Sequence, residues 1–535
     1  MSPSAVRAGS ARLRAPRWHD PVTRHTLVGL IGSVLLGVGA LGVGYLPPRS
    51  RLGGDGLTDI LRTTSVGRGF SHLLVIVGVI VLLRAWFQFG ADVRAARIAG
   101  TERLTRVFWL WAVPLMVTPP LFSQDVYSYT AQGNLLNVGY DPYEFGPAAI
   151  PGARLEAVSS VWLDTPAPYG PLFLYAGKIT ADLLGNHIYL AALVMRLLAL
   201  VGVYLIARYL PRLARACGVD PALALWAGLL NPLVLMHFVS GAHNDALMLG
   251  LVIAALALAL EGRPLVAAVA VALAGTVKAP ALLVLGFVGL AWAIQRSGMP
   301  PRLRSRFLPW LGVALAALAT FLVVNALTGL DFGWVSALNT PGMVKTWISP
   351  TTALALSLGF AGSALGLGDH SDSILSAIRG AAMAGVLLLI SWWLLRPRAI
   401  APGLGAAVAL LLVAVFGPVI QPWYLLWGIV AIAGAGLTRR GVPYLTALTT
   451  SLVTYCLLQS SATATPFVRV PDWIGSAVTI AVGVAILAQN PTTRAEIAAF
   501  LFRLRRPWRR DRGGPDGPDG SGDATAPGEL SPVRT

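Results

Sequence analysis

Apolar residues along the chain gather into runs of about 17–22 with few charges, separated by short polar stretches rich in arginine. That length crosses a bilayer core as a helix. The runs lie near 26–46, 69–89, 107–121, 187–207, 222–239, 246–260, 265–278, 280–295, 307–327, 374–395, 403–420, 422–437, 442–460 and 473–489. Outer-membrane barrels instead show alternating segments of about ten residues, and that pattern is not seen. The pattern predicts an all-α fold, a polytopic transmembrane bundle of about 13–14 helices over 26–489. A basic N-terminus (1–25) and a basic tail (490–535) flank it, the tail low in complexity and disordered in expectation. The first run is too long for a signal-peptide core and lacks a small-x-small site before Pro47, so it reads as a retained helix.

Charge fixes the orientation. Arg7, Arg12, Arg14, Arg17 and Arg24 precede the first run, and Arg94, Arg97, Arg103 and Arg106 follow the second. Arg208, Arg212, Arg215, Arg296, Arg302, Arg304 and Arg306 follow later even-numbered runs, and Arg503, Arg505, Arg506, Arg509 and Arg510 lie in the tail. All fall on one side, which the positive-inside rule makes cytoplasmic, with both termini. Arg49, Arg51, Arg62 and Arg68 dissent. The net charge of +17 is therefore loop arginine rather than a nucleic-acid surface, and no nucleic-acid partner is expected. Only 12% of residues are charged, about half the share of a soluble domain. The partner solvent is the lipid bilayer of the cell membrane. Two cysteines, Cys217 in a loop and Cys456 in a run, imply no disulfide.

One outer segment, 122–186, is too long to be a connector. It carries Asp125, Asp141, Glu144, Glu156, Asp164 and Asp182 against Arg154 and Lys178. Turn signals divide it, and Leu155–Leu163 and Leu172–Leu184 have helical apolar spacing, predicting two amphipathic helices on the outer membrane surface. The stretch 349–370 reads as a helix at, or dipping into, the outer face.

Asp125, in Gln124-Asp125-Val126-Tyr127-Ser128-Tyr129, stands where the third run leaves the membrane. A carboxylate there is part-desolvated and suited to a general base, or else it caps the next helix. Arg196, Lys278 and Arg379 are stranded inside apolar runs, where a cation costs about 2.5–3.5 kcal/mol without a partner or cavity. They form either a shared site for a lipid phosphate or separate salt bridges, to Asp245 or Asp331. Pro280 breaks the run beside Lys278. His243-Asn244-Asp245 is a polar turn, either an N-cap or a lip touching sugar hydroxyls or phosphate. Gln421-Pro422-Trp423-Tyr424 and Lys345-Thr346-Trp347 are belt aromatics or sugar-stacking residues. Histidines are scattered, without HxxxH or HExxH spacing, and no phosphate-loop motif occurs, so neither metal nor cofactor is expected.

With these residues in view, the chain resembles the GT-C class of integral-membrane glycosyltransferases. Within it, the chain is similar to the polyprenyl-phosphate-mannose-dependent alpha-1,6-mannosyltransferases of actinobacterial lipomannan synthesis. The resemblance rests on the order of Gln124–Tyr129, Gly139-Tyr140-Asp141-Pro142-Tyr143, Pro168-Tyr169-Gly170-Pro171, His243-Asn244-Asp245, Lys278-Ala279-Pro280 and Gln421–Tyr424. It implies Asp125 as catalytic base, a polyprenyl-phosphate-sugar donor, and a glycolipid or oligomannoside acceptor at the outer face. Tyr127, Tyr129, Asp141, Tyr143, Tyr169, His243, Asn244, Asp245, Gln421 and Trp423 are then substrate-contacting, and Lys278, Arg196 and Arg379 phosphate-binding. Where the class often has two acids, Gln124 precedes a single Asp125, which argues against a bridging metal. Transfer from a β-linked mannosyl phosphate to an α-mannoside is an inversion, needing one base and no general acid. A lipid-linked glycan flippase would also use intramembrane cations and broken helices, and an arabinosyltransferase would use a related donor.

Overall fold

The computed structural model describes residues 20–495 apart from 49, 55, 99, 299–300, 397–399, 461–469 and 492. The basic N-terminus before Asp20 and the tail beyond 495 lie outside the described residues. The chain through Leu487 forms one compact unit. Its helices are α1 (Pro21–Val43), α2 (Gly56–Thr63), α3 (Ser65–Arg94), α4 (Thr101–Met116), α5 (Asp125–Leu135), α6 (Ser160–Leu163), α7 (Pro171–Leu184) and α8 (Ile188–Ala216). There follow α9 (Pro221–Ala224), α10 (Asp245–Leu260), α11 (Pro264–Gly275), α12 (Val284–Ser297), α13 (Leu303–Thr328) and α14 (Pro350–Ala364). The last are α15 (Ser371–Leu395), α16 (Pro402–Phe416), α17 (Pro422–Ala435), α18 (Val442–Gln459) and α19 (Asp472–Gln489). The protein is an all-α, multi-pass membrane protein.

Every apolar run is helical, but not every one is long. Seven helical segments are long and apolar enough to cross a membrane. An eighth is a pair, Pro221–Leu229 and Val234–Ser240, bent by 63°. The other six runs, now α4, α10, α11, α16, α17 and α18, are helices of 12–18 residues. At 1.5 Å per residue they reach about 18–27 Å, less than the roughly 30 Å hydrocarbon core. The bend follows from Pro232, which lacks an N–H. Asn231 serves the opened turn: its Oδ1 accepts from Leu233 N at 3.1 Å, while its Nδ2 donates to Ala227 O and Thr449 Oγ1. Both limbs are π-helical between 225 and 240.

Small residues set the closest helix contacts, as expected where van der Waals packing drives association. α8 crosses α10 at Gly202 and Gly250, so closely that a Cβ on Gly202 would lie 2.1 Å from Ala246 O. α5 crosses α7 at Gly133 and Gly177, where a Cβ on Gly133 would meet the 177–178 backbone at 2.3 Å. Trp86 and Trp226 each donate their indole N–H to the other's carbonyl, tying α3 to the bent pair. Outward-facing Leu315, Leu322, Leu388 and Val484 are exposed, as a lipid-facing surface requires.

Two sequence expectations are revised. Leu155–Leu163 is not one amphipathic helix but a 3-10 turn (Leu155–Ala157) and the single-turn α6, because Val158 and Ser159 are extended between them. The second stretch does form α7, yet it packs against α5 with Phe173, Leu174 and Gly177 buried. The dissenting Arg62 has a local task. Its two terminal nitrogens donate to Leu41 O and Gly44 O at 3.0 and 2.9 Å, closing the carbonyl end of α1. The stretch 349–370 contains α14, which packs on α15.

Gly202→Val should destabilise the detergent-solubilised protein by about 1–3 kcal/mol through overpacking, seen as a Tm lower by several degrees. An unchanged Tm would show that the α8–α10 crossing tolerates separation.

Candidate active site

The approach to Asp125 is a tied-down backbone segment. α4 ends at Met116, where its last carbonyls lack intrahelical partners. Arg196, 1% exposed inside α8, supplies them: Nη1 donates to Met116 O and Thr118 O at 2.7 and 2.8 Å, and Nη2 to Ser240 O at 2.9 Å. Ser240 Oγ accepts from Leu121 N, joining this segment to the end of the bent pair. Phe122 then turns through φ +66°, a conformation costly for a side chain with a Cβ. Ser123 Oγ accepts from Asp125 N, and α5 begins.

Asp125 opens into a cavity of about 170 Å³ lined also by Trp162, Thr165, Val344, Gln421, Trp423 and Tyr424. Trp162 Nε1 donates to Asp125 Oδ1 at 2.9 Å. The other oxygen faces His243 Nδ1 at 3.7 Å, beyond hydrogen-bond reach. Burial pushes the Asp125 carboxyl above its ordinary range; the Trp162 hydrogen bond and the Lys278 charge pull it partway back. Ala242, just before His243, is also left-handed at φ +55°, so strained non-glycine turns flank the site on two segments.

Behind the cavity is a buried ion pair. Lys278 Nζ donates to both oxygens of Asp245 at 2.8 and 3.0 Å, and Trp427 Nε1 donates to Oδ1 at 2.7 Å. The ammonium lies 4.3 Å from the ring centroid of Tyr424 and near those of Trp427 and Tyr169. The chain break that Pro280 imposes places Lys278 there, extended between α11 and the 279–283 turn. His243 stacks on Trp423 at 3.9 Å, and its two ring nitrogens, like both amide atoms of Asn244, are buried without hydrogen-bond partners.

The sequence candidates thus divide. Asp125, Gln421 and Trp423 line the cavity, with His243, Asn244, Asp245 and Lys278 packed against or beside these groups. Tyr129 reaches the same place, its hydroxyl accepting from Asn244 N, and its ring meets Tyr169 edge-on. Tyr127 instead donates to Tyr45 O, Asp141 accepts from Tyr143 N in a local turn, and Tyr143 packs over Gly333; none lines the cavity. Arg379 donates to Gly342 O, Val344 O and Thr352 Oγ1, holding the Val344 wall. The three intramembrane cations therefore have three separate sets of partners, of which only the Lys278–Asp245 bridge is an ion pair. Trp162 was missed: nothing in sequence singles out one tryptophan of sixteen as a carboxylate's donor. Among the described residues no group of three His, Cys, Asp or Glu side chains could hold a metal ion.

A helical membrane bundle with a part-buried carboxylate in the wall of a largely apolar, aromatic-lined cavity defines the class: a multi-pass membrane protein with one acid at an enclosed site. Residues 26–294 match the family model described as alpha-(1->6)-mannopyranosyltransferase, N-terminal domain, and residues 351–488 match the MptB C-terminal domain. The chain is 38% identical over 458 residues to a probable alpha-(1->6)-mannopyranosyltransferase of Mycolicibacterium smegmatis, covering 78% of this chain and 80% of that one. It is 35% identical over 493 residues to an alpha-(1->6)-mannopyranosyltransferase of Mycobacterium tuberculosis, covering 81% and 82%. To alpha-(1->6)-mannopyranosyltransferase B of Corynebacterium glutamicum it is 32% identical over 447 residues, covering 76% and 72%. The chain belongs to this alpha-(1->6)-mannopyranosyltransferase family of glycosyltransferases.

Arg196→Met should leave three carbonyls and the 116–121 segment untethered. Each lost charge-assisted hydrogen bond is worth about 1.5–3 kcal/mol, so limited proteolysis should cut this segment much faster than in the parent. Equal protection would remove Arg196 from this positioning task.

Proposed function

We propose that this enzyme transfers mannose from polyprenyl-phosphate-mannose to a glycolipid or oligomannoside acceptor at the outer face of the plasma membrane, forming an alpha-(1->6) linkage. Family membership supports mannose and the linkage. The observation that carries the mechanism is the Asp125 carboxylate in the cavity wall, one oxygen accepting from Trp162 and the other 3.7 Å from His243 Nδ1.

In this reading the acceptor hydroxyl lies against the free oxygen of Asp125. As its oxygen bonds to the anomeric carbon from the face opposite the phosphate, the proton passes to Asp125. The bond to the phosphate oxygen breaks, and the polyprenyl phosphate leaves with the electron pair. Inversion turns a β-linked donor into an α-linked product. Phosphate needs no general acid, but its charge needs stabilising. Of the three cations we assign this role to Lys278, which lies against Tyr424 of the cavity wall and, as a lysine, has three donors of which Asp245 engages two. Arg379 acts through the cavity wall it holds, and Arg196 through the approach to Asp125. The unpaired polar atoms of His243 and Asn244, costly while buried, suit sugar hydroxyls, and Trp423 suits a sugar face. The bilayer-facing apolar surface gives a lipid-linked donor its route.

Asp125→Asn should abolish transfer from radiolabelled polyprenyl-phosphate-mannose while the protein stays folded and inserted. Turnover like the parent's would move the base to another carboxylate. A base must be ionised, so kcat/KM should fall as pH drops through the raised pKa of Asp125. The acid limb should therefore lie above the ordinary carboxylate value of about 4; a limb at or below it would contradict the buried base. Lys278→Met should lower kcat; a change in KM alone would limit Lys278 to ground-state binding.

A further inference from the structure

A second cavity lies in the same 122–186 segment, outside the apolar spans. It measures about 340 Å³, is twice the size of the Asp125 cavity, and is bounded by the end of α5, the 147–155 turns and the end of α7. Its polar wall is Asn134, Asn137, Arg154, Asp182 and Asn186, and Ile150 belongs to its apolar side. The charges balance, one arginine against one aspartate, so the cavity suits neither a phosphate nor a polyanion. Three amides and a carboxylate around a partly apolar floor are what a neutral polyol needs.

Arg154 supplies an independent mark. Its Nη2 is engaged by Ala181 O and Gly185 O, whereas Nη1 is buried with no partner. An unsatisfied guanidinium N–H costs of order 1–3 kcal/mol, a cost that a ligand hydroxyl would remove. Beside the cavity in sequence, Tyr140 and Phe145 form an exposed ring pair with centroids 5.0 Å apart, 40% and 42% exposed. Asn134 lies nine residues along α5 from Asp125, about 13 Å at helical rise. A few linked hexoses span that distance.

Resting on the reading of a mannoside acceptor, we propose that this cavity is a distal acceptor site, which binds mannosyl units remote from the reacting hydroxyl and so selects longer oligomannosides. Asn134, Asp182, Asn186 and Arg154 Nη1 hydrogen-bond the sugar hydroxyls. Binding energy gathered there lowers KM for long acceptors.

The test is direct binding of alpha-(1->6)-linked mannohexaose to the full-length protein in nanodiscs without donor, read by saturation-transfer NMR and calorimetry. Binding by the parent, with Kd at least tenfold weaker in Asp182→Ala and in Asn134→Ala, supports the site. No binding by the parent, or equal binding by both variants, overturns it. Tm measured on each variant separates misfolding from loss of contacts, and Asn186→Asp serves as a milder variant should one of them unfold. A parallel assay compares kcat/KM for mannohexaose and mannobiose. The parent's preference for the longer acceptor should fall about tenfold in Asp182→Ala, through KM. A parent that transfers to neither acceptor would defeat the proposed function, while the binding measurement still decides the distal site.

Discussion

A backbone carbonyl or a charged side chain inside a bilayer has no water to turn to, so every such group must be answered from within the protein. The Lys278–Asp245 pair is the clearest case. Burying either partner alone would cost several kcal/mol, and each is acceptable because the other is there, with Trp427 on one carboxylate oxygen. The pair links the starts of α10 and of the 279–283 turn to α17, and the Asp125 cavity is built against it. Removing the constraint would leave no reason for three broken or short helices to converge at that place.

The other cations follow the same logic with carbonyls as partners. Arg196 answers the end of α4 and the end of the bent pair at once. Arg379 answers the turns at Gly342 and Val344. Arg62 answers the end of α1. Each guanidinium thus fixes irregular backbone that water would otherwise have to solvate. Such backbone at membrane depth is tolerated where it lines a cavity or is buried in protein. Here it leads to Asp125 from one side and to His243 from the other. The left-handed turns at Phe122 and Ala242 show where the backbone holds strain to do so.

This arrangement also separates two kinds of surface in one molecule. The outer faces of α13 and α15 are apolar and exposed, whereas the 122–186 segment carries polar cavities and acids. The carboxylate, kept partly desolvated by aromatic walls, is readier to accept a proton than a solvated one would be.

Hydrophobic length settled much of this protein in advance. It determines an all-helical membrane bundle, its fourteen helical segments, the long intervening segment 122–186, and Asp125 at its head, because burial in lipid leaves a strong one-dimensional trace. Pro280 and Pro232 likewise mark their breaks, since a missing N–H is local. What no spacing records is which groups meet. Asp245 with Lys278 is 33 residues apart, Trp162 with Asp125 is 37, and Trp427 with Asp245 is 182. Stranded cations read from sequence as either one shared site or separate salt bridges; the tertiary structure gives Lys278 the acid Asp245 but Arg196 and Arg379 mainly carbonyls, because carbonyls freed by helix ends are invisible in a list of side chains. Only packing decides whether a buried charge meets a ligand, an acid or a backbone, since that depends on which helix end happens to lie within three ångströms of it.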